Sequence, residues 1–92
     1  MIKSFKHKGL ERFFHNGDIS GIQAKHREKL KKMLGVLDEA EDIKYLNRPS
    51  YQLHRLHGDR KKIWSVKVNA NWRLTFEFEN GNVYILDYED YH

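Results

Sequence analysis

The chain has 92 residues, a length that suits one domain spanning residues 1–92 and not two. A third of the residues are charged and Gly and Pro are few, which excludes a disordered chain; cysteine is absent, which excludes a disulfide scaffold, cysteine-ligated zinc and a thiol nucleophile, and favours a reducing compartment. The net charge of +4 is unevenly placed: Arg48 to Arg73 holds seven Lys or Arg and one acid, whereas Leu74 to His92 holds five acids and no Lys or Arg, so the middle of the chain suits phosphate and its end suits acid–base chemistry or a basic partner.

Met1–Phe5 reads as a short first strand. This segment has no apolar run long enough for a signal peptide or a membrane span, so a cytoplasmic protein without membrane contact is expected. Lys8–His15 reads as a short helix with Leu10, Phe13 and Phe14 at helical spacing, stopped by Asn16-Gly17-Asp18, with Gly17 as its C-terminal cap. A longer helix runs from about Ile22 to Leu37 with Ser20 as N-cap and an apolar stripe of Ile22, Leu30, Met33, Leu34 and Leu37. Lys25, Arg27, Lys29, Lys31 and Lys32 cover most of its remaining surface, the pattern of a solvated face or of a contact with RNA or an acidic partner. Ala40–Leu46 adds a helical turn, and Arg48-Pro49-Ser50 ends the helical half.

From Tyr51 the period changes to alternation. Tyr51–Leu56 reads as a strand, His57-Gly58-Asp59-Arg60 as a turn and Ile63–Val68 as a second strand. Asn69-Ala70-Asn71 turns into a third strand, Asn80-Gly81 marks a tight hairpin, and Val83–Tyr88 is the last strand. Helices followed by a meander of strands predict an α+β fold, a small antiparallel sheet with the helices on one face. If Trp64, Val66, Val68, Leu74, Phe76 and Phe78 face the helices, then Ser65, Lys67, Asn69, Arg73, Thr75 and Glu77 face away. Lys67 and Arg73 then share the open face, with His54 or Arg55 near them according to register. Such a face is either solvated surface or a phosphate-binding cleft.

The run Tyr51-Gln52-Leu53-His54-Arg55-Leu56-His57-Gly58-Asp59-Arg60, the segment Trp64 to Phe76 with its Asn-x-x-Trp-Arg, and the terminal Asp87-Tyr88-Glu89-Asp90-Tyr91-His92 together resemble the HigB-type toxins of the RelE/ParE superfamily. The opening Ile2-Lys3-Ser4-Phe5 fits the same family, and the resemblance covers essentially the whole chain. It implies a RelE-like fold, with the sheet mixed at its N-terminal strand. It also implies a bacterial type II toxin that cleaves messenger RNA in the decoding site of the small ribosomal subunit, with no cofactor. The implied partner is a HigA-like helix-turn-helix antitoxin, through which the toxin would meet operator DNA. Some relatives carry Lys where this chain has His57, and many carry Arg where it has Lys67. Lys keeps the charge but lacks the bidentate fork.

Cutting RNA by attack of the ribose 2′-oxygen needs a base, an acid and fixed positive charge on the crowded phosphate. Arg73 is the candidate phosphate clamp, its bland alternative being an ion pair with Glu77. Lys67 adds positive field. His92 is a candidate acid or base, Asp90 a base or a group that orients His92, and Tyr91 a stacking or hydroxyl-donating group. His54 and His57 are further imidazoles of the candidate catalytic set. Arg48, Arg60, Lys61 and Lys62 are candidate contacts to RNA or ribosome. A zinc site of His54, His57, His92 and Asp90 is the competing idea, without a recognised ligand spacing. Two rival functions share the scaffold: a ParE-like inhibitor of DNA gyrase, and a weakened toxin that acts mainly as an antitoxin-binding co-repressor.

Overall fold

A computed structural model describes residues 1–90, which form two α-helices and a four-stranded sheet. Helix α1 spans Lys8–Asn16 and α2 spans Arg27–Glu39; the strands are β1 (His54–Arg55), β2 (Trp64–Asn69), β3 (Trp72–Glu79) and β4 (Asn82–Asp90). The sheet order is β1-β2-β3-β4 with every neighbouring pair antiparallel. The N-terminal segment joins β4 in parallel through bridges Ile2–Val83 and Phe5–Leu86. The sheet is therefore mixed at that edge, through two single bridges rather than the continuous first strand expected. None of the helices formed by the described residues is long and apolar enough to cross a membrane.

Helix α1 begins where the His7 ring, at its N-cap, accepts the Leu10 N–H at 2.9 Å. It ends at Gly17, whose φ of 74° suits glycine and whose N–H returns to the Phe13 carbonyl. Helix α2 starts five residues later than the periodicity predicts. Ser20 is not its cap; instead Asp18 accepts the Ser20 N–H and closes a local turn. The turn sends the chain over α1, where Gly21 meets Gly9 so closely that a Cβ on Gly9 would lie 2.5 Å from the Gly21 carbonyl oxygen. Ala24–His26 then forms a 3-10 turn that feeds α2.

The core lies between the two layers. Leu10 and Phe13 of α1 and Leu30, Met33, Leu34 and Leu37 of α2 pack against Val66, Val68, Leu74, Phe76, Val83, Leu86 and Tyr88 of the sheet. Lys25, Arg27, Lys29, Lys31 and Lys32 are exposed. The predicted strand Tyr51–Leu56 shrinks to the two residues of β1. Pro49–Tyr51 forms a 3-10 turn that buries the Tyr51 ring, and Gln52 follows at a φ of 48°. The hairpins fall where predicted: Ala70 takes a φ of 48°, and Asn80 and Gly81 take 52° and 77°. In β4 the register slips opposite Phe76, with Thr75 facing Asp87 but Glu77 facing Tyr84. Ile85 sits in this bulge at a φ of 47°, its N–H bound by the Ser4 hydroxyl at 2.8 Å. The extra residue turns both Val83 and Leu86 into the core.

Candidate functional site

Two rows of side chains cross the face of the sheet that points away from the helices. His54, Ser65, Thr75 and Asp87 are successive register partners in one row. Lys67, Arg73 and Glu89 make the next. Directly paired residues project from the same face, so the register selects His54, not Arg55, as the β1 residue of this surface. Arg55 pairs with Trp64 instead, its guanidinium 4.8 Å from the centre of the indole.

Lys67 and Arg73 are both partly buried and directly opposed. Arg73 donates to the Ser65 hydroxyl at 3.4 Å. Ser65 and Thr75 are themselves buried although they lie on the face away from the helices. Arg73 and Glu89 hold their hydroxyls, and the segment linking β1 to β2 reaches the same face. Its 3-10 turn, Gly58–Arg60, leans over the sheet far enough for Arg60 to reach β4, where both its terminal nitrogens bind Glu89, at 3.3 and 2.6 Å. Thr75 donates its hydroxyl to the same carboxylate. Burial pushes the Glu89 carboxyl up, but the hydrogen bonds from Arg60 and Thr75 more than offset this, so it titrates below its ordinary range.

His54 is exposed, and its Nδ1 lies 3.0 Å from the Gln52 carbonyl oxygen. A carbonyl only accepts, so Nδ1 carries a proton, and Nε2 is the ring nitrogen left to face substrate. His57 precedes the 3-10 turn, exposed, with Lys61 and Lys62 on the same linking segment. Arg48 lies elsewhere. Its guanidinium stands over the Tyr51 ring at 5.5 Å and donates to the Tyr45 carbonyl, beside α2 rather than on the open face. No ion pair joins Arg73 to Glu77 among the described residues, and no group of three or more His, Asp or Glu among them is placed to hold a metal ion.

Asp90 closes β4 opposite Trp72. It thus shares the strand parity of Tyr88 and starts from the helix side of the sheet, not from the open face that carries the Lys67–Arg73–Glu89 row, because successive strand residues point to opposite faces. Tyr91 and His92, both named as candidates from the sequence, lie outside the described residues. Sequence reading overlooked Glu89, although alternation from Asp87 places it on the open face. It also overlooked His26, which lies four residues before Leu30, ends the 3-10 turn ahead of α2 and is buried.

A family model described as the RelE-like toxin of the type II toxin–antitoxin system HigB matches residues 3–92. The chain is 53% identical over 92 residues, the whole of both chains, to a protein of Proteus vulgaris named Endoribonuclease HigB. It is also 33% identical over 81 residues, 86% of this chain and 80% of the relative, to an uncharacterized protein of Haemophilus influenzae. With an open face that opposes two cations beside the end of β4, and with a match running through that end, the chain belongs to the HigB-like, RelE-like toxins of type II toxin–antitoxin systems.

Proposed function

We propose that this chain is a ribosome-dependent endoribonuclease that cleaves messenger RNA in the decoding site by acid–base chemistry, and so arrests translation. As a type II toxin it pairs with an antitoxin; we read that partner as a HigA-like helix-turn-helix protein, and the setting as the bacterial cytoplasm.

The observation that carries this reading is the direct opposition of Lys67 and Arg73. Two cations set side by side concentrate positive field at one place on the sheet, which draws an anion there. A scissile phosphate fits that place: Arg73 offers several donors to its oxygens, and Lys67 adds positive field as charge develops. His54, whose Nε2 is turned away from the Gln52 carbonyl, is assigned the removal of the 2′-hydroxyl proton. His92 is assigned the return of a proton to the leaving 5′-oxygen, Asp90 its support, and Tyr91 a stacking contact with a base. His57, Arg60, Lys61 and Lys62 line the approach and steer the RNA backbone, and Arg48 supports ribosome contact from the other side of the molecule.

Incubation of the purified protein with translating ribosomes, followed by mapping of message ends, tests the reading. Parent protein is expected to cut ribosome-bound message. Arg73→Ala and His92→Gln are each expected to cut roughly 10²–10³-fold more slowly, the usual cost of removing one charge-stabilising or proton-transfer group. Equal rates in both variants would overturn the mechanism, and intact message with a DNA-damage response would transfer the chain to the gyrase-inhibiting class.

A further inference from the structure

On the helix side of the sheet a second cluster surrounds the end of β4, and the acid–base reading gives it no task. His26 is buried, only 1% exposed, and its Nδ1 lies 2.5 Å from the Tyr88 hydroxyl. The Gln23 N–H donates to that hydroxyl oxygen at 3.4 Å. With the Gln23 N–H already on the hydroxyl oxygen, the pairing that uses the tyrosine proton runs from the hydroxyl to Nδ1, and in that tautomer the imidazole carries its own proton on Nε2. That Nε2 is buried and has no hydrogen-bond partner among the described residues. An unpaired buried donor costs stability that an aliphatic side chain at this core position would avoid, so a purely structural account of His26 is incomplete.

The ring that His26 holds is packed from several sides. Tyr88 stacks on Trp72 with centroids 4.4 Å apart, and His7 and His26 meet it edge-on at 5.4 and 6.0 Å. His7 is itself fixed by the Leu10 N–H at the start of α1. Stacking alone leaves a ring free to slide in its plane at little cost; a hydrogen bond at the hydroxyl pins the far end. The two stacked residues bear on the site through the backbone. Trp72 is the register partner of Asp90, and Tyr88 precedes Asp90 by two residues on the same face of β4.

We propose that His26 is a positioning residue of the nuclease site: by pinning the Tyr88 ring against Trp72, it sets the place from which Asp90 acts. This rests on the assignment of Asp90 to the acid–base machinery. His26 itself is too buried to meet substrate. Burial, with Lys25 and Lys29 nearby, lowers its proton affinity and so favours the neutral ring, the only form in which a ring nitrogen can accept.

The test compares kcat and KM for ribosome-bound message, with thermal melts of each purified protein. Tyr88→Phe keeps the ring and its stacking and removes only the hydroxyl; His26→Leu removes the acceptor; His26→Gln keeps an acceptor on a side chain of similar reach. Tyr88→Phe and His26→Leu are each expected to lower kcat roughly 10–100-fold, the scale of a small misplacement of a reacting group. KM should stay within about twofold, the pair combined should be no worse than either alone, and His26→Gln should recover most of the rate. Unchanged kcat per folded molecule, or losses that follow the melting temperature alone, would overturn the proposal, as would losses that multiply in the double variant. Asp90→Asn separates the two levels of argument. If it cuts as fast as the parent, the acid–base reading fails and the positioning role with it. If it is inactive while Tyr88→Phe and His26→Leu keep full rate, the positioning role alone fails.

Discussion

Glu89 joins the two charge populations of this chain. It stands opposite Arg73, accepts both terminal nitrogens of Arg60, and takes the Thr75 hydroxyl. Its pKa is lowered on balance, so the stability it contributes is present above the usual carboxylate value of 4.5 and is lost as pH falls through the lowered one. Arg60 is close to half exposed, so the pair adds only about 0–1 kcal/mol. Its larger effect is on charge at the open face, where the carboxylate offsets part of the positive field of Arg60 and Arg73. Glu89→Gln should therefore leave urea stability within about 1 kcal/mol of the parent. It should also tighten RNA binding and steepen the plot of log affinity against log salt by about 0.7, the share of one further phosphate contact on a single strand. Titrations of a fluorescent RNA over a salt series measure this, and identical slopes would show that the Glu89 charge does not bear on RNA binding.

Among the elements, the crossing of α1 and the segment leading to α2 has the least room. A Cβ at Gly9 would stand 2.5 Å from the Gly21 carbonyl oxygen and 2.8 Å from its Cα, both backbone atoms with no rotamer to yield. Gly9→Ala, which helix propensity alone would favour, should instead destabilise the protein by about 1–3 kcal/mol, read as a lower urea midpoint. The same crossing explains why the start of α2 was misread. Ser20 and Ile22 carry an N-terminal signature, but Asp18 takes the Ser20 N–H first, the chain turns at Ser20 and Gly21 where it passes Gly9, and Gln23 is extended before the 3-10 turn begins. β1 was overdrawn for a similar reason. Tyr51 and Leu53 alternate like strand residues, yet Tyr51 is buried from a 3-10 turn and Gln52 is left-handed. The bulge in β4 had no signal at all, since Ile85 is a strand former held at a positive φ by tertiary contact with Ser4. Alternation in β2 and β3 was legible because one face of each strand must be buried. That placed Lys67 and Arg73 together before any coordinates, whereas the reach of Arg60 to Glu89 depends on how a loop folds over the sheet, which periodicity does not encode.

Across the whole molecule the sheet separates two kinds of chemistry. Its open face carries the charged row Lys67, Arg73 and Glu89, and its other face buries the His26 imidazole in the core. Burial lowers the His26 pKa from the 6.5 of an unfolded chain, with Lys25 and Lys29 adding to the effect. Below pH 6.5 the unfolded chain therefore binds a proton that the folded chain refuses, so the contribution of His26 to stability is full above 6.5 and is lost as pH falls through that value toward the lowered one. Glu89 contributes in the same direction at lower pH, below 4.5. Acidification should weaken the fold in two separable steps, the first belonging to the core and the second to the open face. His26→Gln has no group to titrate and should abolish the first step. Its unfolding free energy by urea should vary less between pH 7 and 5.5 than that of the parent, with the two curves diverging by up to about 1.4 kcal/mol per pH unit in that interval. Parallel curves would mean that His26 accepts a proton in the folded protein as readily as in the unfolded one, and that the acceptor which holds Tyr88 is not kept neutral by the core.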